Sequence, residues 1–371
     1  MEVGIQETEH YEGVFPVIQL FDQPGYTITL FVDAKIEKNL RDLLAEKADR
    51  YRWIVKEKQE STFSFCRRIN RAIQAHQITL LYLNTVSKHH IAYAWLLGQQ
   101  PLLKSILTVH DVNCLFKDKP GVSLRSWIRY WGKKLLTKRA GAFNTVSDTV
   151  VPYLSAQAGD RAVYSIPGAV HQPRNNTSPY STALRLVIPG TIDEKRRDYT
   201  QVFQLLDKSK AYAVVLLGGG NAEYAKDIWN TCKLHYAEQT EWFEEQEVRQ
   251  AVFDAALDRA HFIWIPSVVN TKICGDIPEV YGLTKSSGNI FDIIKHGKPF
   301  LYPESLVIPA ALKPAGLQYA NMDALLQKLQ ALDSKAYAQL DAAAKIAAGQ
   351  YSIELIRQRF PAVFGTGLSP G

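Results

Sequence analysis

The stretch EVYGLTKSSGNIFDIIKHGKP, from Glu279 to Pro299, sets a polar run (Lys285, Ser286, Ser287, Gly288) directly before a short apolar helix that opens at Asn289. A helix N-cap falls at these residues, so the first backbone N–H groups and the positive end of the helix dipole face outward. That arrangement is a seat for an anion. Lys285 adds a mobile positive charge, and Glu279, followed by Tyr281 and Gly282, is placed to accept hydrogen bonds from ligand hydroxyls. A plain serine N-cap accounts for Ser287 but not for the glycine, lysine and glutamate around it. A second loop, PGTIDEKRRDY (Pro189 to Tyr199), turns at Gly190 and Thr191 and carries Lys195, Arg196 and Arg197. Paired arginines offer forked donors suited to phosphate oxygens, although a solvated basic turn would read the same way. A third, LGGGN (Leu217 to Asn221), has three glycines centred on Gly219 that let the backbone approach a ligand, or that merely make a tight turn. In the first half of the chain, His110 and Asp111 follow a strand in TVHDVNCLF, and QETEHYEGVFP concentrates Glu7, Glu9, His10 and Glu12. Titratable groups at strand ends are where a general base is sought. A structural hydrogen bond for His110, a capping role for Asp111 and solvated loop charges would each place the same residues there.

Strand-like and helix-like patterns alternate through most of the sequence, as parallel α/β layers require. Strands are expected near Val3–Gln6, Thr27–Val32, Arg52–Val55, Thr79–Leu83, Ser105–His110 and Ala142–Val146, with helices such as Val14–Phe21, Ile36–Ala48, Thr62–His76, His89–Leu97 and Leu124–Lys138 between them. The polar stretch HQPRNNTSPYST then interrupts the pattern as a linker. Beyond it the pattern restarts with strands at Arg185–Gly190, Ala213–Gly220, Glu241–Phe243, His261–Val268 and FLYPE (Phe300–Glu304) and helices near Tyr199–Leu206, Ala222–Lys233 and Glu245–Arg259. The tail from Ala320 to Phe364 reads as helical throughout. Two such sheets imply a cleft, with ligands beyond the carboxyl ends of the strands.

The chain has 371 residues, enough for two domains with their own cores, and ordinary globular proportions of apolar (46 %) and charged (22 %) residues argue against disorder. Cys66, Cys114, Cys232 and Cys274 are scattered without metal-binding spacing and suit a reducing compartment. There is no signal-like start and no window long and apolar enough to span a bilayer, so the expected location is cytoplasmic. The net charge of +6 is concentrated: Lys117 to Arg139 holds eight basic residues and one acid, Asp118. One basic segment on a near-neutral body points to a local partner surface and not to nucleic acid.

The order G-x-I-D-E-x-R-R, LGGG, and E-x-Y-G-L-x-K-x-S-G-x-I-x-D-x-I-x-x-G-K-P is similar to the C-terminal half of GT-B fold glycosyltransferases, especially those like glycosyltransferase family 4. The resemblance is strong over residues 184–303 and looser before them, where TVHDVNCLF resembles the family's histidine loop and NTVSD its V-S-x strand end. It implies two Rossmann-like domains: residues 1–171 on the acceptor side, a linker at 172–183, and a nucleotide-sugar-binding domain at 184–350. Residues 351–371 would form a C-terminal helix packing back on the first domain. Arg196 occupies the place of the family's phosphate-binding lysine, Thr191 stands where its arginine usually is, and Glu279 matches its first glutamate. Ser287 replaces the second glutamate, so the resemblance carries neither ribose recognition nor stereochemical outcome.

The implied activity is metal-independent transfer of a sugar from a nucleotide diphosphate donor to a lipid-linked or growing polysaccharide acceptor. His10, Glu12, His110 and Asp111 are the catalytic candidates. Gly190, Thr191, Arg196, Arg197, Gly219, Glu279, Tyr281, Gly282, Lys285, Ser286, Ser287, Gly288 and Asn289 are the donor-binding ones. No cofactor is expected, and no D-x-D pair stands in a promising loop. A sugar-nucleotide epimerase, a phosphorylase and a catalytically silent binding subunit share the same features. In SLRSWIRYWGKKLLTKRA, Leu124, Trp127, Ile128, Trp131 and Leu135 recur on one helical face. Burial against the sheet accounts for such a stripe by default. The surrounding Arg125, Arg129, Lys133 and Lys134, together with Trp127 and Trp131, suit the surface of an anionic membrane.

Overall fold

The computed structural model describes residues 1–174, 178–181, 183–220, 223–245 and 248–365. Parts of the expected linker (175–177 and 182), Asn221 of the glycine loop, the start of the helix expected from Ala222, and residues 246–247 of the helix expected from Glu245 lie outside the described residues. The chain forms two compact units: residues 1–168, 284–286 and 353–371 make unit 1, and residues 169–283 and 287–352 make unit 2.

Unit 1 runs β1 (Glu2–Glu7), α1 (Tyr11–Phe21), β2 (Thr27–Asp33), α2 (Ala34–Leu44), β3 (Arg52–Lys56), α3 (Thr62–Ala75), β4 (Leu80–Leu83), α4 (His90–Gln99), β5 (Lys104–Thr108), α5 (Val112–Phe116), α6 (Leu124–Arg139), β6 (Ala142–Asn144), α7 (Val151–Ala158) and β7 (Val163–Tyr164). The strands form one parallel sheet in the order β3-β2-β1-β4-β5-β6-β7. Helices on the sheet faces bury β1, β2 and β4 almost completely, which is why β2 and β4 read as largely apolar runs, whereas β1 buries Gln6 and Glu7 as well. Side-chain oxygens cap the helices where the sequence offers them. Asp33 accepts from Ile36 N, Ser61 from Ser64 N and Ser123 from Ser126 N.

Unit 2 contains β8 (Leu184–Pro189), α8 (Tyr199–Lys208), β9 (Tyr212–Leu217), α9 (Glu223–His235), β10 (Thr240–Trp242), α10 (Gln250–Asp258), β11 (Phe262–Trp264), the antiparallel hairpin β12 (Asn270–Cys274) and β13 (Ile277–Val280), α11 (Asn289–His296), β14 (Phe300–Pro303), β15 (Gly316–Tyr319), α12 (Met322–Gln330) and α13 (Ser334–Gly349). Its parallel sheet has the order β10-β9-β8-β11-β14-β15. In both sheets the winding reverses beside the first strand, between β1 and β4 and between β8 and β11, and such reversal points open a crevice at the carboxyl ends. The expected continuous helix after Ala320 is instead broken. Asn321 and Asp333 cap α12 and α13 as separate helices, and α14 (Ile353–Arg359) and α15 (Pro361–Phe364) follow a turn. The hairpin and β15 escape the sequence pattern because each is short and irregularly buried.

Helix α6 departs from the expected burial. Ser126, Gly132, Lys133, Leu136 and Thr137 face inward, while Leu124, Trp127, Ile128 and Trp131 are exposed. Lys133 is therefore not a membrane contact. It is buried, donating to Asp118 Oδ2 at 2.8 Å and to the Cys114 carbonyl at 2.7 Å. Arg129 donates to the same carboxylate at 3.0 Å but remains half exposed, and Arg125 and Lys134 are exposed. The Lys133 and Arg129 contacts and Asp118's burial act on its acidity in opposite directions. Burial is the largest single effect and raises the pKa, yet the two cations together hold it below the ordinary carboxylate value.

The C-terminal helices complete unit 1. Helix α1 has no basic residue in its last turn, and its terminal carbonyls need donors. Arg357 of α14 supplies them, donating to Leu20 O at 2.9 Å, Gln19 O at 3.0 Å and Asp22 O at 2.9 Å. Phe364 packs on Phe21, and its carbonyl accepts from Gln23 Nε2 at 2.8 Å and Tyr26 Oη at 2.6 Å. Replacing Arg357 with alanine is expected to cost about 2 kcal/mol, the scale of hydrogen bonds to a charged group. Urea denaturation should show this loss, and limited proteolysis should show the tail cut ahead of the rest of unit 1.

Candidate functional site

In unit 1 the carboxyl ends of the parallel strands β1 and β4 are knit together by Glu7. This carboxylate is fully buried and accepts from Glu9 N at 2.6 Å, His10 N at 3.1 Å and Asn84 Nδ2 at 2.6 Å, with a further hydrogen bond from Thr85. Burial pushes its pKa upward against these donors. Thr85 passes the order on: its Oγ1 lies 3.3 Å from His110 Nε2, which is also 3.1 Å from the Asn84 carbonyl. A carbonyl only accepts, so Nε2 carries the proton and Nδ1 is the ring's acceptor. Burial holds the imidazole below its ordinary value, outweighing the Asn84 hydrogen bond and the Asp111 charge that favour protonation. His110 is thus a neutral, oriented base at neutral pH.

Asp111 caps no helix with its side chain. It pairs instead with Lys285, whose segment Thr284–Ser286 belongs to unit 1 and joins it through an isolated antiparallel bridge and a Val112 N to Thr284 O bond of 2.9 Å. Lys285 is therefore not the mobile charge the sequence suggests, but a fixed partner of a carboxylate. His10 is exposed beyond the Glu7 contact, and Glu12 is an exposed acid in the first turn of α1, where the helix dipole accounts for it. Beside this network a cavity of about 250 Å³ opens among Thr8, Glu9, Asp33, Lys56, Thr85 and Lys88.

In unit 2 the loops after β8 and β9 meet backbone to backbone. A Cβ on Gly218 would collide with the Gly190 carbonyl, and Gly190 itself takes φ +96, a conformation that favours glycine. Ile192 N donates to Gly219 O at 3.0 Å, locking the two loops together. Thr191 is exposed at this turn. Arg197 requires correction as a ligand group. It is buried and turned back into its own loop, donating to the carbonyls of Pro189 and Thr191, the latter at 2.6 Å. Asn289 Nδ2 donates to the same Pro189 carbonyl at 2.9 Å, so its side chain is a brace between α11 and β8. Arg196 is the outward arginine, with 43 % of its side chain exposed and one loose pair to Asp193 at 3.4 Å.

Helix α11 begins at Gly288 with no side-chain cap, so neither Ser286 nor Ser287 is the helix cap that its position suggests. Ser287 is buried and Gly288 exposed, and their carbonyls receive Ile290 N at 3.2 Å and Phe291 N at 2.9 Å. Ser286 Oγ is buried without a hydrogen-bond partner among the described residues. Glu279 is also corrected: it has no exposed surface, sits opposite Thr271 in the hairpin, and so presents no open face to ligand hydroxyls. Tyr281 is buried, its N–H bonded to Val269 O at 2.9 Å, and Gly282 makes a close backbone approach to Val307. Asp292, one turn into α11, is absent from the sequence-based candidates although it is the D of I-x-D-x-I. Burial pushes its carboxyl up to about 7, against the opposing charges of His296, Lys295 and Arg197. Among the described residues no group of three or more His, Cys, Asp or Glu side chains is arranged to hold a metal ion.

No protein-family model matches the chain, and no curated protein is similar to it in sequence. Solved structures do match. Anabaena HepE in complex with UDP and glucose has a TM-score of 0.67 at 12 % identity, covering 98 % of each chain. The lipopolysaccharide outer core galactosyltransferase WaaB has a TM-score of 0.58 at 13 % identity, covering 98 % of this chain and 99 % of its own. A UDP-N-acetylglucosamine 2-epimerase has a TM-score of 0.56 at 9 % identity, covering 100 % and 98 %. At these identities the likeness concerns the fold: two parallel-sheet α/β domains and a helical tail, the GT-B architecture.

Proposed function

We propose that this chain transfers a glycosyl group from a nucleoside diphosphate sugar to a hydroxyl of a lipid-linked or growing polysaccharide acceptor. The observation that carries the reading is the uncapped start of α11 beside two glycine loops in backbone contact, with Arg196 turned outward from the same strand ends. N–H groups, a helix dipole and a guanidinium match a diphosphate. UDP is the nucleotide to assign first, because HepE is described with UDP and glucose and the epimerase takes a UDP-sugar by name. As the bond from the anomeric carbon to the phosphate oxygen breaks, charge grows on the leaving diphosphate. Arg196 and the α11 N-terminus would stabilise it without a metal. The acceptor oxygen bonds to the anomeric carbon and loses its proton to a base of the unit 1 network, for which His110 Nδ1 and Asp111 are the candidates. An epimerase would share the nucleotide seat, and incubation with UDP-sugar but no acceptor separates the two: an isomerised sugar would replace this reading.

The two adjacent arginines give opposite expectations. Arg196→Ala should weaken UDP binding about tenfold, the scale of one charge-assisted contact, with unchanged thermal stability. Arg197→Ala should instead lower stability by about 2 kcal/mol, because buried carbonyls lose their donor. Calorimetric titration and thermal melts of both variants measure this. Equal affinity in wild type and Arg196→Ala would remove Arg196 from the site.

Asp292 sets a pH dependence. Its carboxyl is neutral below about 7 and gains a negative charge above it, close enough to Arg197 to feel that charge. UDP affinity should therefore fall as pH rises through neutrality, and Asp292→Asn should flatten the curve. A wild-type affinity independent of pH would contradict this.

His110→Ala and Asp111→Asn should each lower kcat by about 10² to 10³, with UDP affinity retained. Because the His110 imidazole stays neutral to lower pH than an ordinary histidine, the acid limb of the wild-type rate profile should lie below the usual histidine range. Rates of both variants near wild type would exclude the unit 1 network from the chemistry.

A further inference from the structure

The exposed half of α6 has no role in the reaction proposed above, and its surroundings say what it meets. Gly132 fixes the height of the helix in the fold: a Cβ there would lie 2.9 Å from Ile91 N, so α6 crosses the start of α4 at this residue. Farther along, Arg139 Nη1 donates to Ala94 O at 2.7 Å and its guanidinium lies against Gly98, so the two helices run parallel. The turns before Gly132, from Leu124 to Trp131, project about 12 Å beyond the start of α4 at 1.5 Å per residue. Helix α4 follows β4, so this projection stands at the carboxyl edge of the unit 1 sheet, the edge that carries His110 and Asp111.

On the projecting turns Leu124 is 76 % exposed, Trp127 46 %, Ile128 46 % and Trp131 53 %. Their spacing of i, i+3, i+4 and i+7 makes one continuous stripe. Tyr130 packs edge-on between Trp127 and Trp131. Around the stripe Lys119, Arg125, Lys134 and Lys138 are exposed and have no ion pair among the described residues. The segment's one acid, Asp118, is buried and already paired with Arg129 and Lys133. A second copy of the chain suits this face badly, because a two-fold contact would set these cations against their own copies. Aliphatic and tryptophan side chains ringed by unpaired lysine and arginine match an interface of acyl chains and anionic headgroups.

We infer that the N-terminal half of α6 docks on an anionic lipid bilayer. Leu124, Trp127, Ile128 and Trp131 enter the headgroup boundary, and Lys119, Arg125 and Lys134 lie against the lipid phosphates. The inference is independent of the proposed reaction, since it uses only the surface of unit 1. Sedimentation of the full chain with vesicles tests it, using phosphatidylcholine alone and phosphatidylcholine mixed with phosphatidylglycerol. The protein should bind the mixed vesicles, release them at high salt, and ignore phosphatidylcholine. The double variants Trp127→Ala with Trp131→Ala, and Arg125→Glu with Lys134→Glu, should each bind about tenfold or more weakly, since each basic residue near such a surface contributes roughly a factor of five. Their thermal unfolding should match wild type, because all four residues are exposed. Failure of the wild-type chain to bind, or undiminished binding by either variant, overturns the inference. So does a concentration-dependent dimer, without vesicle binding, that the tryptophan variant abolishes.

Discussion

A carboxylate with no solvent contact must be satisfied from within, and at Glu7 that requirement organises unit 1. Its donors come from the loop after β1 and from the residues after β4, two strands that are neighbours only because the winding reverses there. A crevice at that reversal could have remained soft. Instead its walls are tied at 2.6 to 3.1 Å to one anion, and the tie continues through Thr85 to the imidazole of His110. The tautomer of His110, and hence which nitrogen can accept a proton, follows from where Glu7 holds Asn84 and Thr85.

Unit 2 solves the equivalent problem with the opposite charge. At the end of its first strand the buried ion is Arg197, which gathers the carbonyls of Pro189 and Thr191 while Asn289 reaches the first of these from α11. In each unit, then, the buried ion at the reversal point is committed to the scaffold. Arg196 stands outward because Arg197 is turned in. The loops reinforce this division, since the Gly190 and Gly218 backbones touch and a side chain at Gly190 would collide with the Arg197 guanidinium.

How much of this is legible in the sequence varies with the length scale of the signal. The two parallel sheets can be read because strands buried on both faces, such as β4 and β9, are apolar from end to end. The start of α11 stands out in the sequence because a glycine, two serines and a lysine crowd an apolar helix, more polar groups than capping alone requires, and the anion seat read there belongs to the proposal. What escapes is the direction of each side chain. Arg196 and Arg197 are chemically identical neighbours, and only the fold shows that one is buried. Lys285 and Asp111 are 174 residues apart, and nothing local to either predicts their pairing. Glu279 matches a motif by position, yet a hairpin too short to give a periodic signal encloses it. Asp292 looks like an ordinary first-turn acid, and its raised pKa comes from burial, which no spacing encodes.

Helix α6 shows the converse, a pattern that is legible but carries the wrong default meaning. An apolar stripe normally marks the face a helix buries, and here the buried face is the other one, built from Ser126, Gly132, Lys133, Leu136 and Thr137. That face needs no tryptophan. Gly132 allows contact with α4, Arg139 reaches the Ala94 carbonyl, and Lys133 shares Asp118 with Arg129 to fasten the preceding loop. Since these contacts hold the helix in place, the stripe adds little to folding, and leaving four large apolar side chains in water lowers solubility. A feature that folding neither requires nor favours points to a partner, and the unpaired cations beside it limit what that partner can be. The surface must be apolar enough to take indoles and anionic enough to answer Arg125 and Lys134, and it stands at the edge of the sheet where His110 and Asp111 lie.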